Sequence, residues 1–173
     1  MSLKKNKIAI LGGSFDPAHE GHLAISKEAI KRLKLKKIIW AITRKNPLKK
    51  QSKLDLSNRI KYCKKIIGRN SFIKVKFYED IIRSNKTISL INYLSRKKKN
   101  EIFFLMGADN LINFHKWHKW KMISKKCNII VFDRHGYKKK SLDSMTFRRL
   151  KDKNLKFIEF NKVNISSSQL RKI

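Results

Sequence analysis

Two histidines, His19 and His22, stand three residues apart just beyond the glycine pair Gly12-Gly13. At that spacing, across a loop-to-helix junction, both imidazoles can turn toward one anion. Lys7 to Leu11 reads as a short buried strand, and Leu23, Ser26, Ile30 and Leu33 fall on one helical face. The intervening Gly12-Gly13-Ser14-Phe15-Asp16-Pro17 is therefore the loop of a strand-loop-helix unit. Glycines at the strand exit admit a ligand to the main chain, and the helix start offers free N–H groups and a positive dipole end. The chemistry this predicts is phosphate binding.

Two further stretches carry groups of the right kind. Near the end of the chain, Ser166, Ser167 and Ser168 precede Gln169-Leu170-Arg171. Such a string supplies hydroxyls, main-chain donors and a guanidinium one helical turn on, although a plain helix N-cap reads the same way. In the middle, Gly107-Ala108-Asp109 follows the most apolar run of the sequence, Ile102 to Met106. A glycine at the end of a central strand admits a ligand, and an acid there can accept from ribose or adenine; helix capping by Asp109 fits the spacing equally well. His115 and His118 repeat the spacing of His19 and His22, so four imidazoles could instead hold zinc. Neither pair has a cysteine nearby or fits a usual zinc pattern, and the first pair sits in a phosphate-loop context.

The elements that must position these groups alternate. After the first strand and helix, Lys37–Ile42 is continuous in its apolar core and predicts a strand buried on both faces. A polar loop, Thr43 to Lys50, leads to an amphipathic helix from about Leu54-Asp55 to Gly68. Phe72–Tyr78 alternates apolar and lysine residues and predicts an edge strand. A helix over Thr87–Leu94, the central strand, and strands at Asn128–Phe132 and Leu155–Phe160 complete the series, with a polar, mobile Tyr137–Ser144 between the last two. Strands alternating with helices predict an α/β fold: a single Rossmann-like, doubly wound, mainly parallel sheet of about six strands in one domain, residues 1–173.

Composition bounds the rest. A chain of 173 residues suits one well-buried domain. Forty-four basic against twelve acidic residues give a formal charge of +32, which raises nucleic-acid binding as an alternative function. The lysines are spread over almost every segment beside Asn and Ile, residues with AT-rich codons, and no reading module or concentrated basic face interleaved with aromatics is visible. No specific nucleic acid is expected. Two distant cysteines, no leader-like apolar start and no run near the ~20 apolar residues of a membrane span predict a soluble, cytoplasmic protein without a membrane partner.

The string Gly12 to His22 resembles the signature of the nucleotidylyltransferase superfamily, Gly-Gly-(Thr/Ser)-Phe-Asp-Pro-x-His-x-Gly-His, with Ser14 where Thr is commoner. Ile165 to Arg171 looks like that superfamily's Ile-Ser-Ser-Thr-x-(Ile/Leu)-Arg string, with Ser168 for Thr. Gly107 to Trp120 is similar to the stretch found in bacterial nicotinate-nucleotide adenylyltransferases, with His118 where Tyr is common. The resemblance implies ATP and nicotinate mononucleotide as substrates, Mg²⁺ held through the ATP phosphates and no protein-held metal. It implies His19, His22 and Arg171 as catalytic groups. Gly12, Gly13, Ser14, Phe15, Asp16, Gly107, Asp109, Arg134, Ser166, Ser167 and Ser168 would bind ATP. Lys49, Thr87 and Trp117 would bind the mononucleotide, Trp117 by stacking on the pyridine ring. Asn46-Pro47-Leu48-Lys49 stands where the family has Pro-Pro-His-Lys, and Asp133 to Tyr137 resembles its Arg-Pro-Gly segment with His135 for Pro.

The reaction so implied joins the mononucleotide phosphate to the α-phosphate of ATP and releases pyrophosphate. A phosphate monoester with a second pKa near ~6 is largely dianionic at neutral pH, so no general base is needed. The protein must align two repelling anions and stabilise charge on the α-phosphate and the leaving group. The histidine signature alone would equally fit a pantetheine-phosphate adenylyltransferase or a cytidylyltransferase; the central string favours nicotinate, with nicotinamide mononucleotide as the alternative pyridine substrate.

Overall fold

A computed structural model describes residues 6–46, 48, 51–96 and 100–159. Lys49, Ser166, Ser167, Ser168 and Arg171 lie outside the described residues.

Six strands form one sheet, β1 (Asn6–Gly13), β2 (Ile38–Ile42), β3 (Ile73–Lys76), β4 (Asn100–Gly107), β5 (Asn128–Phe132) and β6 (Leu155–Ile158). Their order is β3-β2-β1-β4-β5-β6, and all five pairings are parallel. The Rossmann-like expectation is correct, and β3 is an edge strand with Lys74 and Lys76 exposed. Strand order reverses between β1 and β4, where Leu11 pairs with Leu105. The crevice beyond the carboxyl ends of these two strands is where such sheets bind ligands.

Helices cover both faces. Leu11, Trp40, Phe103 and Leu105 point to the layer containing α1 (Glu20–Leu33) and α2 (Leu56–Ile67), together with Leu23, Ala29 and Cys63. Ile10, Ile39, Phe104 and Met106 alternate to the opposite face. There they meet Ile88 and Ile91 of α4 (Thr87–Ser95), Leu111 of α5 (Ala108–Asn113) and Ile123 of α6 (Trp120–Lys126). A single helical turn, α3 (Glu79–Ile82), precedes α4. Burial on both faces explains the unbroken apolar runs in the central strands.

The polar stretch Tyr137–Ser144, expected as a mobile loop, instead contains α7 (Lys138–Leu142) and the N-cap of α8 (Met145–Leu150). Ser141 is fully buried, its hydroxyl donating to the Lys138 carbonyl at 2.8 Å, and the Ser144 oxygen accepts from the Phe147 N–H at 3.2 Å. The Ser141 hydroxyl bonds back within α7, and that of Ser144 caps the start of α8.

Candidate active site

A cavity of about 650 Å³ opens at the reversal point between β1 and β4. Gly12, Gly13, Ser14, Phe15, His19, His22, Thr87, Gly107, Asp109, Trp117 and Arg134 all line it. The structure thus brings together, on one wall or another, expected residues from four separate stretches of chain.

His19 is the N-cap of α1, with φ −150° and ψ 169°. Its Nδ1 accepts from the Gly21 N–H at 3.1 Å, and His22 Nδ1 accepts from the His19 N–H at 3.2 Å. Two histidines therefore close a reciprocal capping box, work usually done by a hydroxyl and a carboxylate. An Nδ1 that accepts leaves the proton of a neutral ring on Nε2. Each imidazole is so prepared as an Nε2–H donor, and the two ring centroids are 3.9 Å apart. Burial, with the nearby Arg134 charge adding to it, lowers the His19 pKa to about 4. His19 is neutral at physiological pH.

Aromatic packing holds His22 in place. Phe15, 2% exposed, stacks on Trp40 at 5.1 Å and 15°, and lies 4.8 Å from the His22 ring. Trp40 Nε1 donates to Ser26 Oγ at 2.8 Å, and that hydroxyl donates to the His22 carbonyl at 2.8 Å. Phe15 has φ 48°, an uncommon conformation for a bulky residue and one that needs support from its surroundings.

Asp16 is placed differently from a nucleotide-facing acid. It is 3% exposed and accepts from the Lys53 and Leu54 N–H groups at 2.8 and 3.0 Å, binding the loop before α1 to the chain entering α2. Asp109 lies in the first turn of α5 but makes no side-chain cap. Its Oδ2 accepts from Arg134 Nη1 at 2.6 Å, while its buried Oδ1 has no hydrogen-bond partner. Gly107, the N-cap, leaves that carboxylate room, since a Cβ there would lie 2.6 Å from Oδ1. Across the cavity, Trp117 meets Phe104 and Phe114 edge-on, with centroids 5.8 and 5.2 Å away. Thr87 is the first residue of α4. Thr43 Oγ1 and the Arg44 N–H both donate to Glu79 Oε1, fixing the loop after β2 against α3.

Several of these supports went unread in the sequence. Trp40 and Ser26 looked like ordinary core and helix-face residues. Arg59 did carry a visible signal, because it shares a helical stripe with Cys63 and Ile67, and an arginine on an apolar stripe is rare. Among the described residues, no group of three or more His, Cys, Asp and Glu could hold a metal ion. Both cysteines are buried, and burial raises each thiol to about 12, so neither serves as a nucleophile.

A parallel sheet with a phosphate-type loop at its reversal point defines a nucleotide-binding α/β protein, and sequence comparison supplies the family. The cytidylyltransferase-like family model matches residues 10–173, and the chain belongs to that family. It is 68% identical over 173 residues to a probable nicotinate-nucleotide adenylyltransferase of Pelagibacter ubique, covering all of this chain and 96% of the relative. A protein of the same name from Nitratiruptor is 35% identical over 169 residues, 95% of this chain and 87% of its own length. Among solved structures, Plasmodium falciparum nicotinic acid mononucleotide adenylyltransferase complexed with NaAD superposes with a TM-score of 0.79 at 21% identity, covering 96% of this chain and 83% of that one. At that identity the superposition speaks for the fold.

Proposed function

We propose that this chain is an enzyme of NAD biosynthesis, a nicotinate-nucleotide adenylyltransferase. It joins nicotinate mononucleotide and ATP into nicotinate adenine dinucleotide and pyrophosphate. The observation that carries the reading is the histidine capping box. Main-chain N–H groups occupy both Nδ1 atoms, so each cavity-lining imidazole presents Nε2–H as its donor.

An oxygen of the mononucleotide phosphate forms a bond to the α-phosphorus of ATP. The bond from that phosphorus to the bridging oxygen breaks, and its electron pair leaves with pyrophosphate. His22 donates to the α-phosphate as charge builds there, and His19 orients the triphosphate. Gly12, Gly13 and Ser14 form the floor; at Gly13 the nearest atoms to an added Cβ belong to the Phe15 ring, at 3.5 Å and beyond. Phe15 and Asp16 act on this loop from within. The unpartnered Oδ1 of Asp109 suits a ribose hydroxyl or the adenine amine, with Arg134 and Gly107 holding it in place. Thr87 and Trp117 receive the nicotinate, the indole against the ring and the start of α4 near its carboxylate. Lys49 would bind the mononucleotide, and Ser166, Ser167, Ser168 and Arg171 the ATP phosphates; all five lie outside the described residues.

Without a described carboxylate cage, Mg²⁺ fits this site as an ion carried by the ATP phosphates, where it supplies charge neutralisation. The domain spans residues 1–173 and works on soluble nucleotides in the cytoplasm; among the described residues no helix is long and apolar enough to cross a membrane.

Side-by-side assays test the substrate assignment. Nicotinate mononucleotide should be adenylylated with a kcat/KM well above that for nicotinamide mononucleotide, and phosphopantetheine should be inert. Equal use of acid and amide refutes nicotinate recognition, and turnover of phosphopantetheine alone refutes the pyridine-nucleotide assignment.

A further inference from the structure

Arg59 sits on the buried stripe of α2 and is 2% exposed. A guanidinium at that depth needs acceptors to offset its lost hydration. Every hydrogen bond it makes among the described residues ends on a main-chain carbonyl. Nε donates to Leu54 at 3.2 Å, Nη1 to Ser14 at 2.8 Å and Thr43 at 2.7 Å, and Nη2 to Arg44 at 3.1 Å. The acceptors belong to three segments: the loop after β1, the loop after β2 and the approach to α2. Ser14 and Thr43 both line the cavity. Ser14 also precedes Phe15, whose φ of 48° has to be imposed from outside. Asp16 completes the circuit by accepting from Lys53 and Leu54, the second of which gives its own carbonyl to Arg59.

We infer that Arg59 is a positioning residue for adenylyl transfer, locking the Ser14-Phe15 loop and the Thr43-Arg44 loop into the one mutual arrangement that presents Gly13, His19 and His22 to the triphosphate. The inference rests on reading the Gly12–Asp16 loop as the triphosphate site. The shape of the group matters as much as its charge. A lysine ammonium has three donors on one atom and cannot span carbonyls from three segments, whereas the planar fork can. A displacement of the loop by ~1 Å is enough to lower the rate about a hundredfold.

The test compares Arg59→Lys and Arg59→Ala with the full-length wild type by kcat, KM for ATP and melting temperature. Arg59→Lys should lose at least tenfold in kcat, more than it loses in ATP affinity. Methylguanidinium should restore part of the activity of Arg59→Ala, and methylammonium at equal concentration should not. Arg59→Lys within twofold of wild type in kcat overturns the inference, as does equal rescue by both cations. Should the variants not fold, the wild-type Arg59 Nε–H resonance decides: it should be protected from solvent exchange and shift on adding ATP, and an exchanging or unmoved signal overturns the inference. The Gly13 and His22 amides separate the two levels. If they ignore ATP, the triphosphate-site reading fails and takes the inference with it; if they respond while Arg59→Lys remains fully active, only the role of Arg59 fails.

Discussion

Replacing Gly107 by alanine isolates one contact between fold and site. The backbone there, φ −79° and ψ 158°, suits alanine without strain. Only the new methyl group is a problem, because it would lie 2.6 Å from Asp109 Oδ1, a separation that real Cβ atoms do not tolerate. Asp109 must swing away and release Arg134, whose guanidinium it holds at 2.6 Å. The pair is 34% and 18% exposed at its two side chains, so solvent screens part of its strength and the loss is about 1–2 kcal/mol. For a domain of this size that lowers Tm by roughly 2–8 °C. A double-mutant cycle with Asp109→Ala, followed by thermal denaturation, removes the clash from one side of the comparison. Gly107→Ala should then be neutral, or stabilising by about 0.4–1 kcal/mol through the less flexible unfolded chain. Equal penalties in both backgrounds would refute the steric argument. ATP binding should weaken in both single variants, since both displace the free Oδ1.

Two further predictions concern the histidines. His22→Ala should lower kcat by several orders of magnitude while ATP binding, measured directly, weakens much less; equal loss in both would make His22 a ground-state ligand. For His19, a folded pKa of about 4 against 6.5 in the unfolded chain means that the unfolded state binds more protons between those values. The stability contributed by its neutral ring is therefore complete above pH 6.5 and is lost as pH falls toward 4, and an NMR titration of the His19 ring with a midpoint at or above 6.5 would contradict this.

The alternation of strands and helices was legible because both faces of the sheet are covered, which forces continuous apolar runs such as Ile38–Ile42 and Ile102–Met106. The cavity residues were legible for a different reason: Gly12 at the end of β1, the N-cap His19 and His22 in the first turn of α1 belong to one short strand-loop-helix stretch, whose full string resembles a known signature. What stayed hidden acts across long separations. Arg59 reaches a carbonyl 45 residues away, and Trp40 a hydroxyl 14 residues away. Such partners are joined by tertiary packing, and local periodicity carries no record of them. Asp16 belongs to the same class: the motif marks it as a site residue, whereas its bonds to Lys53 and Leu54 are visible only in three dimensions. The helices after Tyr137 were missed because lysine and serine dominate both loops and short capped helices.

The charge distribution bears on why a neutral His19 suits this site. A protein of formal charge +32 already draws polyanions, and a cationic ring beside the α-phosphate would strengthen substrate and transition state alike. Uniform tightening of that kind lowers KM without raising kcat. A neutral Nε2–H donor instead gains most where negative charge increases during the reaction, and costs no proton exchange with solvent. Arg134 supports this division of labour in two ways: its charge helps to keep His19 unprotonated, and Asp109 holds the guanidinium to one side. On the proposed reading the long-range field would gather the substrates, while the short-range donors, fixed by backbone N–H groups at both Nδ1 atoms, would respond to the chemical step.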